Sequence, residues 1–145
     1  MDGNERASEQ TSTLDGPMGA ALHKLGLRPG QIVVEYGYDD DVDESVREAV
    51  ETLVEGPLED EDYDGVVDVV LLWWRDGDGD LTDELVDSMT QLEDGGSIAL
   101  LTPGAGRPDR VPAYDVQDAC TTCSLSASGF VPVESWVGQR LVGRR

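Results

Sequence analysis

The chain has 145 residues, of which 31 are acidic and 10 basic, and its formal net charge is −21. This charge excludes a protein that coats nucleic acid, and the length predicts one domain. No apolar run approaches the ~20 residues of a membrane span, and no leader segment is evident, so we expect a soluble, cytoplasmic protein. Residues 1–15 are polar with almost nothing to bury, which predicts a disordered tail before a single domain at residues 16–145.

The domain is predicted to begin with a helix, a strand and a second helix. An apolar stripe at helical spacing ends at Gly26, which indicates a short first helix. Residues 32–36 are mostly β-branched or aromatic and predict the first strand. Asp41 and Glu44 then have the spacing of a capping box, so we expect the second helix to run from there to Val54.

The rest of the chain continues to alternate between strands and helices. The remaining predicted elements are a central strand, a helix, a strand, a helix and two strands, at residues 66–74, 81–92, 97–102, 116–123, 130–137 and 140–143. Gly95 and Gly96 are expected to end the helix at residues 81–92. Gly138 and Gln139 are expected to form the turn of a terminal hairpin. The alternation predicts a Rossmann-like α/β three-layer sandwich, with a mostly parallel sheet and a C-terminal antiparallel hairpin.

Acidic residues are concentrated in two runs. Residues 39–64 contain thirteen acids and one base, Arg47, and residues 76–94 contain eight acids and no base. Such runs repel phosphate backbones and anionic lipids, so neither nucleic acid nor a membrane is an expected partner. They attract the basic surface of a protein partner, although a solvated face that maintains solubility explains the same composition.

Trp73, Trp74 and Arg75 end the predicted central strand. Strand alternation sends the two indoles to opposite faces at the carboxyl end of the sheet, where open α/β sheets bind ligands. The loops that converge there are predicted to carry the candidate ligand-binding residues Gly37, Tyr38, Trp74, Arg75, Gly104 and Arg107. The alternative is that the indoles pack beneath helices and Arg75 pairs with the abundant acids.

Two further patterns have simpler structural explanations. Asp76, Asp78 and Asp80 alternate as calcium ligands can, but the later positions of an EF-hand loop are not filled. We therefore predict no metal site and a turn that caps the next helix, with these three acids as the alternative metal ligands. Cys120 and Cys123 lack further zinc ligands and are predicted to be small buried residues on a helix face.

Several strings of residues resemble known families. The order of elements, with Glu35-Tyr36-Gly37 closing the first strand, resembles the class I methyltransferase fold over roughly residues 30–143. More narrowly, Leu-Gly-Leu-Arg-Pro-Gly-Gln at 25–31 and Leu-Leu-Trp-Trp-Arg at 71–75 are similar to a small acidic actinobacterial protein family known as a domain of unknown function.

The methyltransferase resemblance implies S-adenosylmethionine, held by a glycine-rich turn after the first strand and by an acid that ends the second. Glu35 and Gly37 match the turn, but Asp39 stands where the next glycine is expected, and a strand-helix-strand segment before Val66 is absent. We therefore predict no cofactor and interpret the chain as a reduced, non-enzymatic binding or regulatory protein. The alternative is that Glu35, Gly37 and Trp74 hold S-adenosylmethionine or a related nucleotide.

Overall fold

The computed structural model describes residues 16–143, and the predicted tail at residues 1–15 lies outside the described part of the chain. The helices are α1 (Pro17–Lys24), α2 (Glu44–Val54), α3 (Leu81–Thr90) and α4 (Ala113–Thr122). The strands are β1 (Val33–Tyr36), β2 (Leu58–Glu59), β3 (Val67–Trp73), β4 (Leu92–Pro103), β5 (Leu125–Ala127), β6 (Val131–Val133) and β7 (Trp136–Gly143). None of the described helices is long and apolar enough to cross a membrane.

The strands form one seven-stranded sheet in the order β2-β1-β3-β4-β7-β5, with β6 also paired to β7. The strands β2, β1, β3 and β4 are parallel, whereas β7 is antiparallel to β4, β5 and β6. Helices α1 and α2 pack on one face of the sheet, and α3 and α4 pack on the other. The predicted three-layer sandwich with antiparallel C-terminal strands is therefore confirmed.

Side chains of the central strands alternate between the two faces. Leu71 and Trp73 belong to the core beneath α1 and α2, whereas Leu72 and Trp74 belong to the core beneath α3 and α4. A parallel strand covered by helices on both faces is apolar on both, as the sequence of β3 predicts. The two adjacent indoles consequently lie on opposite sides of the sheet.

The N-terminal half differs from the prediction at two points. Helix α2 begins at Glu44, and Asp43 caps it by accepting a hydrogen bond from the Ser45 backbone N–H, so the capping box predicted from Asp41 is wrong. The Asp41 carboxylate instead binds arginines from distant loops, which local spacing cannot reveal. The segment before residue 66 also retains β2, a two-residue strand that pairs with β1.

The C-terminal half differs in where its turns fall. Helix α3 ends at Thr90, and Leu92 pairs with Val67, so the predicted helix end at Gly95 and Gly96 is wrong. The hairpin is present, but its turn lies between β6 and β7, where Glu134 adopts a φ of 56°. Gly138, the predicted turn residue, is inside β7, where a Cβ would lie 2.7 Å from the Leu25 Cδ1 atom.

Candidate functional site

The carboxyl ends of β1, β3 and β4 meet at one edge of the sheet, which we call the carboxyl edge. It consists of the loops at residues 37–43, 74–80 and 104–112 together with the segment at residues 60–62 beside them. The structure brings together here the residues that the sequence singled out, which are Glu35, Gly37, Tyr38, Trp74, Arg75, Gly104 and Arg107. Their contacts determine what this edge can bind.

Glu35 is buried and its carboxylate is fully engaged. The Oε2 atom accepts hydrogen bonds from Trp73 Nε1 and Arg47 Nε, both at 2.8 Å, and Oε1 accepts from Arg47 Nη2 at 2.9 Å. The hydrogen bonds to Glu35 raise the pKa of the Arg47 guanidinium above its ordinary value. Since this two-point ion pair occupies both oxygens, Glu35 stabilises the fold beneath the edge and presents no vacant oxygen to a ligand.

Arg47 also organises the surface above Glu35. Its Nη1 atom donates to Glu44 at 2.8 Å, and its guanidinium lies 4.5 Å from the centre of the Tyr38 ring. The Tyr38 hydroxyl donates to Glu44 at 3.1 Å, so the ring is held over the arginine. Arg47 was missed as a site residue, although its position as the single base in an acidic run was the available signal.

Gly37 lies against the neighbouring strand. Its φ is +82°, and a Cβ at this position would be 2.1 Å from the Trp73 carbonyl oxygen. A glycine is therefore required for the packing of β1 against the end of β3, whether or not a ligand approaches. The Gly37 carbonyl accepts a hydrogen bond from Arg75 Nη1 at 2.8 Å, which ties the following loop to β3.

Arg75 and Arg107 form a second network around Asp41. Arg75 donates to the two Asp41 oxygens at 2.9 and 2.5 Å, and Arg107 Nη2 donates to Asp41 Oδ2 at 2.9 Å. The hydrogen bond from Arg75 is the main reason that the Asp41 pKa falls to about 2. Both guanidiniums lie over Trp136, 5.3 and 4.6 Å from its ring centre, and Arg107 also pairs with Asp109.

The network around Asp41 agrees with the alternative interpretation of the strand end, in which Arg75 pairs with acids and the indoles pack beneath helices. Trp73 is fully buried, and its ring centre is 4.8 Å from that of Trp136 in a T-shaped contact. Trp74 is also buried, with 8% of its surface exposed to solvent. Gly104 contributes close packing, because a Cβ there would lie 2.7 Å from the Ser135 carbonyl oxygen.

Two of the three acids in the alternating turn make separate contacts within the fold. Asp78 accepts a hydrogen bond from the Arg75 backbone N–H at 3.0 Å, and Asp80 caps α3 by accepting one from Asp83 N–H. Within residues 16–143, no group of three or more potential ligands is arranged to hold a metal ion. Burial raises the pKa of the Cys123 thiol, which does not favour a reactive thiolate.

Three open cavities surround these networks. One of about 280 Å³ lies beside Gly37 and Trp74, and one of about 440 Å³ lies beside Tyr38, Asp60 and Asp62. A third of about 420 Å³ lies on the other side of Trp74, towards α3 and α4. The carboxyl edge therefore combines arginines that are ion-paired with carboxylates and cavities that are lined by several further carboxylates.

Methyltransferases are among the solved structures with a similar backbone. Ribosomal protein L11 methylase of Lactobacillus delbrueckii subsp. bulgaricus gives a TM-score of 0.55 at 11% identity, covering 89% of this chain and 77% of that one. Precorrin-6y C5,15-methyltransferase of Geobacter metallireducens gives 0.57 at 12% identity, covering 88% and 87%. Identities this low indicate the fold alone. The similar backbones place this chain in the class of proteins with a methyltransferase-like Rossmann fold.

The family is shown by the sequence comparison. The model described as "Protein of unknown function (DUF3052)" matches residues 22–145, and the chain belongs to this family. An uncharacterized protein of Mycobacterium tuberculosis is 44% identical over 119 residues, which cover 82% of this chain and 75% of the relative. An uncharacterized protein of Mycobacterium bovis matches to the same extent. The resemblance stated from the sequence is thus confirmed.

Proposed function

We propose that this chain is a non-catalytic binding protein that recognises the basic surface of a protein partner at the carboxyl edge. The observation that carries the proposal is the division of charge there. Arg47, Arg75 and Arg107 are all held in ion pairs with carboxylates of the same edge. Further carboxylates of these loops have no ion pair within residues 16–143, among them those of Asp39, Asp40, Asp60, Asp62 and Asp76.

A surface with this charge distribution favours cationic partners. The paired arginines cancel part of the acidic charge but leave no guanidinium of the two networks available for a phosphate or carboxylate ligand. The remaining acids create a negative potential that attracts a basic protein surface and increases its rate of association. The acids are also spread over three loops, which matches a broad contact better than a single bound ion.

The contacts around Glu35 support a non-catalytic role. S-adenosylmethionine would need a polar group at the end of β1, yet the Glu35 oxygens there accept hydrogen bonds from Arg47 and Trp73. The residues present therefore do not suit this cofactor.

The competing hypothesis is that S-adenosylmethionine or a nucleotide still binds beside Gly37 and Trp74. Thermal unfolding with excess S-adenosylmethionine, S-adenosylhomocysteine and adenine nucleotides separates the two hypotheses. We expect no saturable shift from any of these compounds. A compound that binds the folded state would add about 2.7 kcal/mol of stability at 100 times its dissociation constant, and such a shift would contradict the proposal.

The partner proposal is tested with variants of equal charge. The edge variant Asp39→Asn/Asp60→Asn/Asp62→Asn removes three carboxylates from the loops. The control Glu55→Gln/Glu93→Gln/Asp94→Asn removes three carboxylates near the amino ends of the strands. Chemical cross-linking in a cell extract identifies the partner, whose affinity for each variant is then measured with purified proteins.

We expect the edge variant to bind the partner at least tenfold more weakly and the control to bind like the wild type. Cross-links should join basic residues of the partner to the loops of the carboxyl edge. Equal weakening of both variants would show that net charge alone drives the binding. Cross-links confined to the opposite edge would overturn the proposal.

A further inference from the structure

The two outer strands of the sheet differ in how they are protected from pairing with another chain. At one side, β2 follows Pro57, contains Glu59 and continues into Asp60. At the other side, β5 lies within residues 119–133, the longest run of the chain without a charged side chain. Natural sheets normally protect an outer strand with charge or proline. The strand β5 has neither, and it is only when the same side of the sheet continues into β6 that a proline, Pro132, appears.

The backbone groups of β5 alternate between the inside and the outside of the sheet. The Ser128 N–H donates to the Arg140 carbonyl at 2.9 Å, and the pairing of β5 with β7 continues in the same register. Hydrogen-bonded and non-bonded pairs alternate along antiparallel strands, so the backbone groups of Ser126 also face β7. The N–H and C=O groups of Leu125 and Ala127 therefore point outwards, where a further strand would bind.

Helix α4 turns an uncharged side towards β5. Tyr114, Gln117 and Thr121 are exposed and lie on one stripe at helical spacing. The Gln117 and Thr121 side chains line a cavity of about 320 Å³ between α4 and β5, and its lining contains no charged residue. The acids of the helix, Asp115 and Asp118, line the cavity on its other side, towards α3. The charge of α4 is thus directed away from the open strand.

Large apolar side chains are exposed on this same side of the molecule. Tyr114 is 66% exposed and Phe130 57%, the two highest values among the large hydrophobic residues described. Phe130 also lines the cavity between α4 and β5. We call the surface formed by β5, Phe130 and the exposed stripe of α4 the neutral face.

The charge of the chain indicates what the neutral face contacts. Two copies with a net charge of −21 each repel one another across their acidic surfaces. The neutral face places no charge in such a contact, so two copies approach there at the lowest electrostatic cost. A basic partner gains no ion pair on this face, because its own strand and helix stripe carry no carboxylate.

We infer that the neutral face joins two copies of this chain into a symmetric dimer through antiparallel pairing of β5. With the two-fold axis at Ser126, Leu125 of each copy pairs with Ala127 of the other. These two residue pairs each exchange two backbone hydrogen bonds, and Ser126 lies opposite its own counterpart. The inference concerns a different side of the sheet and goes beyond the proposed function.

The same symmetry brings the helices and aromatic side chains together. A two-fold axis perpendicular to the joined sheets keeps both copies of α4 on one face, with their uncharged stripes adjacent. The register directs Phe130 of each copy towards the end of α4 in the other. A strand of three residues pairs weakly by itself, so this apolar contact contributes much of the stability of the dimer.

Analytical ultracentrifugation of the full chain from micromolar to millimolar concentration tests the inference. We expect a reversible equilibrium between monomer and dimer. Raising the salt from about 0.1 M to about 1 M shortens the Debye length from about 10 Å to about 3 Å and screens the repulsion between the acidic copies. Dimerisation should therefore strengthen with salt, whereas binding of a basic partner to the carboxyl edge should weaken.

Two variants of equal charge locate the contact. Ser126→Glu places two carboxylates opposite each other at the two-fold axis, and Thr52→Glu adds the same charge at an exposed position of α2. Two like charges about 5 Å apart weaken association about fourfold in water. We expect at least this effect for Ser126→Glu and less than half of it for Thr52→Glu. Both positions are exposed, and thermal unfolding checks that both variants are folded.

Cysteine substitutions test the register of the two strands. In Ser126→Cys, the two thiols lie on opposed residues of a non-hydrogen-bonded pair, whose Cα atoms are about 4.5 Å apart and within disulfide range. In Ala127→Cys, the two substituted residues are about 8 Å apart, because each lies opposite residue 125 of the other copy. We expect mild oxidation to link two copies through position 126 and not through position 127, as mapped by mass spectrometry of the linked peptides.

Four outcomes would overturn the inference. The first is a chain that stays monomeric at millimolar concentration, and the second is a dimer that salt dissociates. The third is equal weakening by Ser126→Glu and Thr52→Glu, which would place the contact elsewhere. The fourth is linkage through position 127 as efficient as through position 126. None of these outcomes bears on the carboxyl edge, so the proposed function is tested separately.

Discussion

Replacing Arg47 by methionine should strongly destabilise the protein. The side chain of Glu35 is 6% exposed, and Arg47 supplies two of its three hydrogen bonds. In the variant, the buried Glu35 carboxylate would keep a single hydrogen bond, from the Trp73 N–H. Breaking a buried ion pair by removing one partner costs about 3–5 kcal/mol. In a domain of this size that loss lowers the melting temperature by about 10–20 °C.

The control and the double variant make this prediction specific. Arg110→Met makes the same chemical change at an exposed residue with no ion pair within residues 16–143, and should alter stability by less than about 0.5 kcal/mol. Glu35→Gln combined with Arg47→Met removes the stranded charge and should recover most of the loss. Thermal and urea unfolding of the wild type, Arg47→Met, Arg110→Met, Glu35→Gln and the double variant measure these differences. A loss below about 1 kcal/mol for Arg47→Met, or additive effects in the double variant, would refute the reasoning.

Three further effects follow from the same contacts. Gly37→Ala should be at least about 2 kcal/mol less stable in urea than Gly30→Ala, since both have positive φ but only Gly37 lies against the Trp73 carbonyl; equal losses would contradict this. The Asp41 pKa is lowered to about 2, so its carboxylate stabilises the fold above about pH 4 and progressively less towards pH 2. The stability difference between wild type and Asp41→Asn should shrink over that interval, and a constant difference would oppose the assignment. Asp43→Ala should lower the unfolding free energy by about 1 kcal/mol through loss of the α2 cap, and an unchanged urea midpoint would argue against it.

The parts of the fold that depend on local periodicity could be predicted from the sequence. The opposite placement of Trp73 and Trp74 follows from strand alternation, and the apolar run around them indicates a central strand. The cap of α2 could not be chosen from spacing alone, since Asp41 and Asp43 are both plausible caps. The Asp41 carboxylate does not cap the helix because it accepts hydrogen bonds from Arg75, which is 34 residues away in the chain.

Other parts depend on packing between distant segments. Gly138 looks like a turn residue, but it is needed inside β7 because Leu25 from the start of the domain packs against it. The strand β2 has two residues and is defined by its pairing with β1, so it carries no pattern of its own. For the candidate site, composition indicates an acidic surface, but which carboxylates are already paired with arginines depends on the tertiary structure.

The bridge that Asp41 makes between Arg75 and Arg107 joins three loops that are far apart in the chain. With both guanidiniums stacked on Trp136, these loops behave as one preorganised surface before any partner arrives. Little conformational entropy would then be lost in forming the proposed complex, and no slow rearrangement would delay it. The proposed association of a basic partner at this edge should accordingly be fast, second-order and strongly dependent on salt, and changes in its affinity should arise mainly from the rate of dissociation.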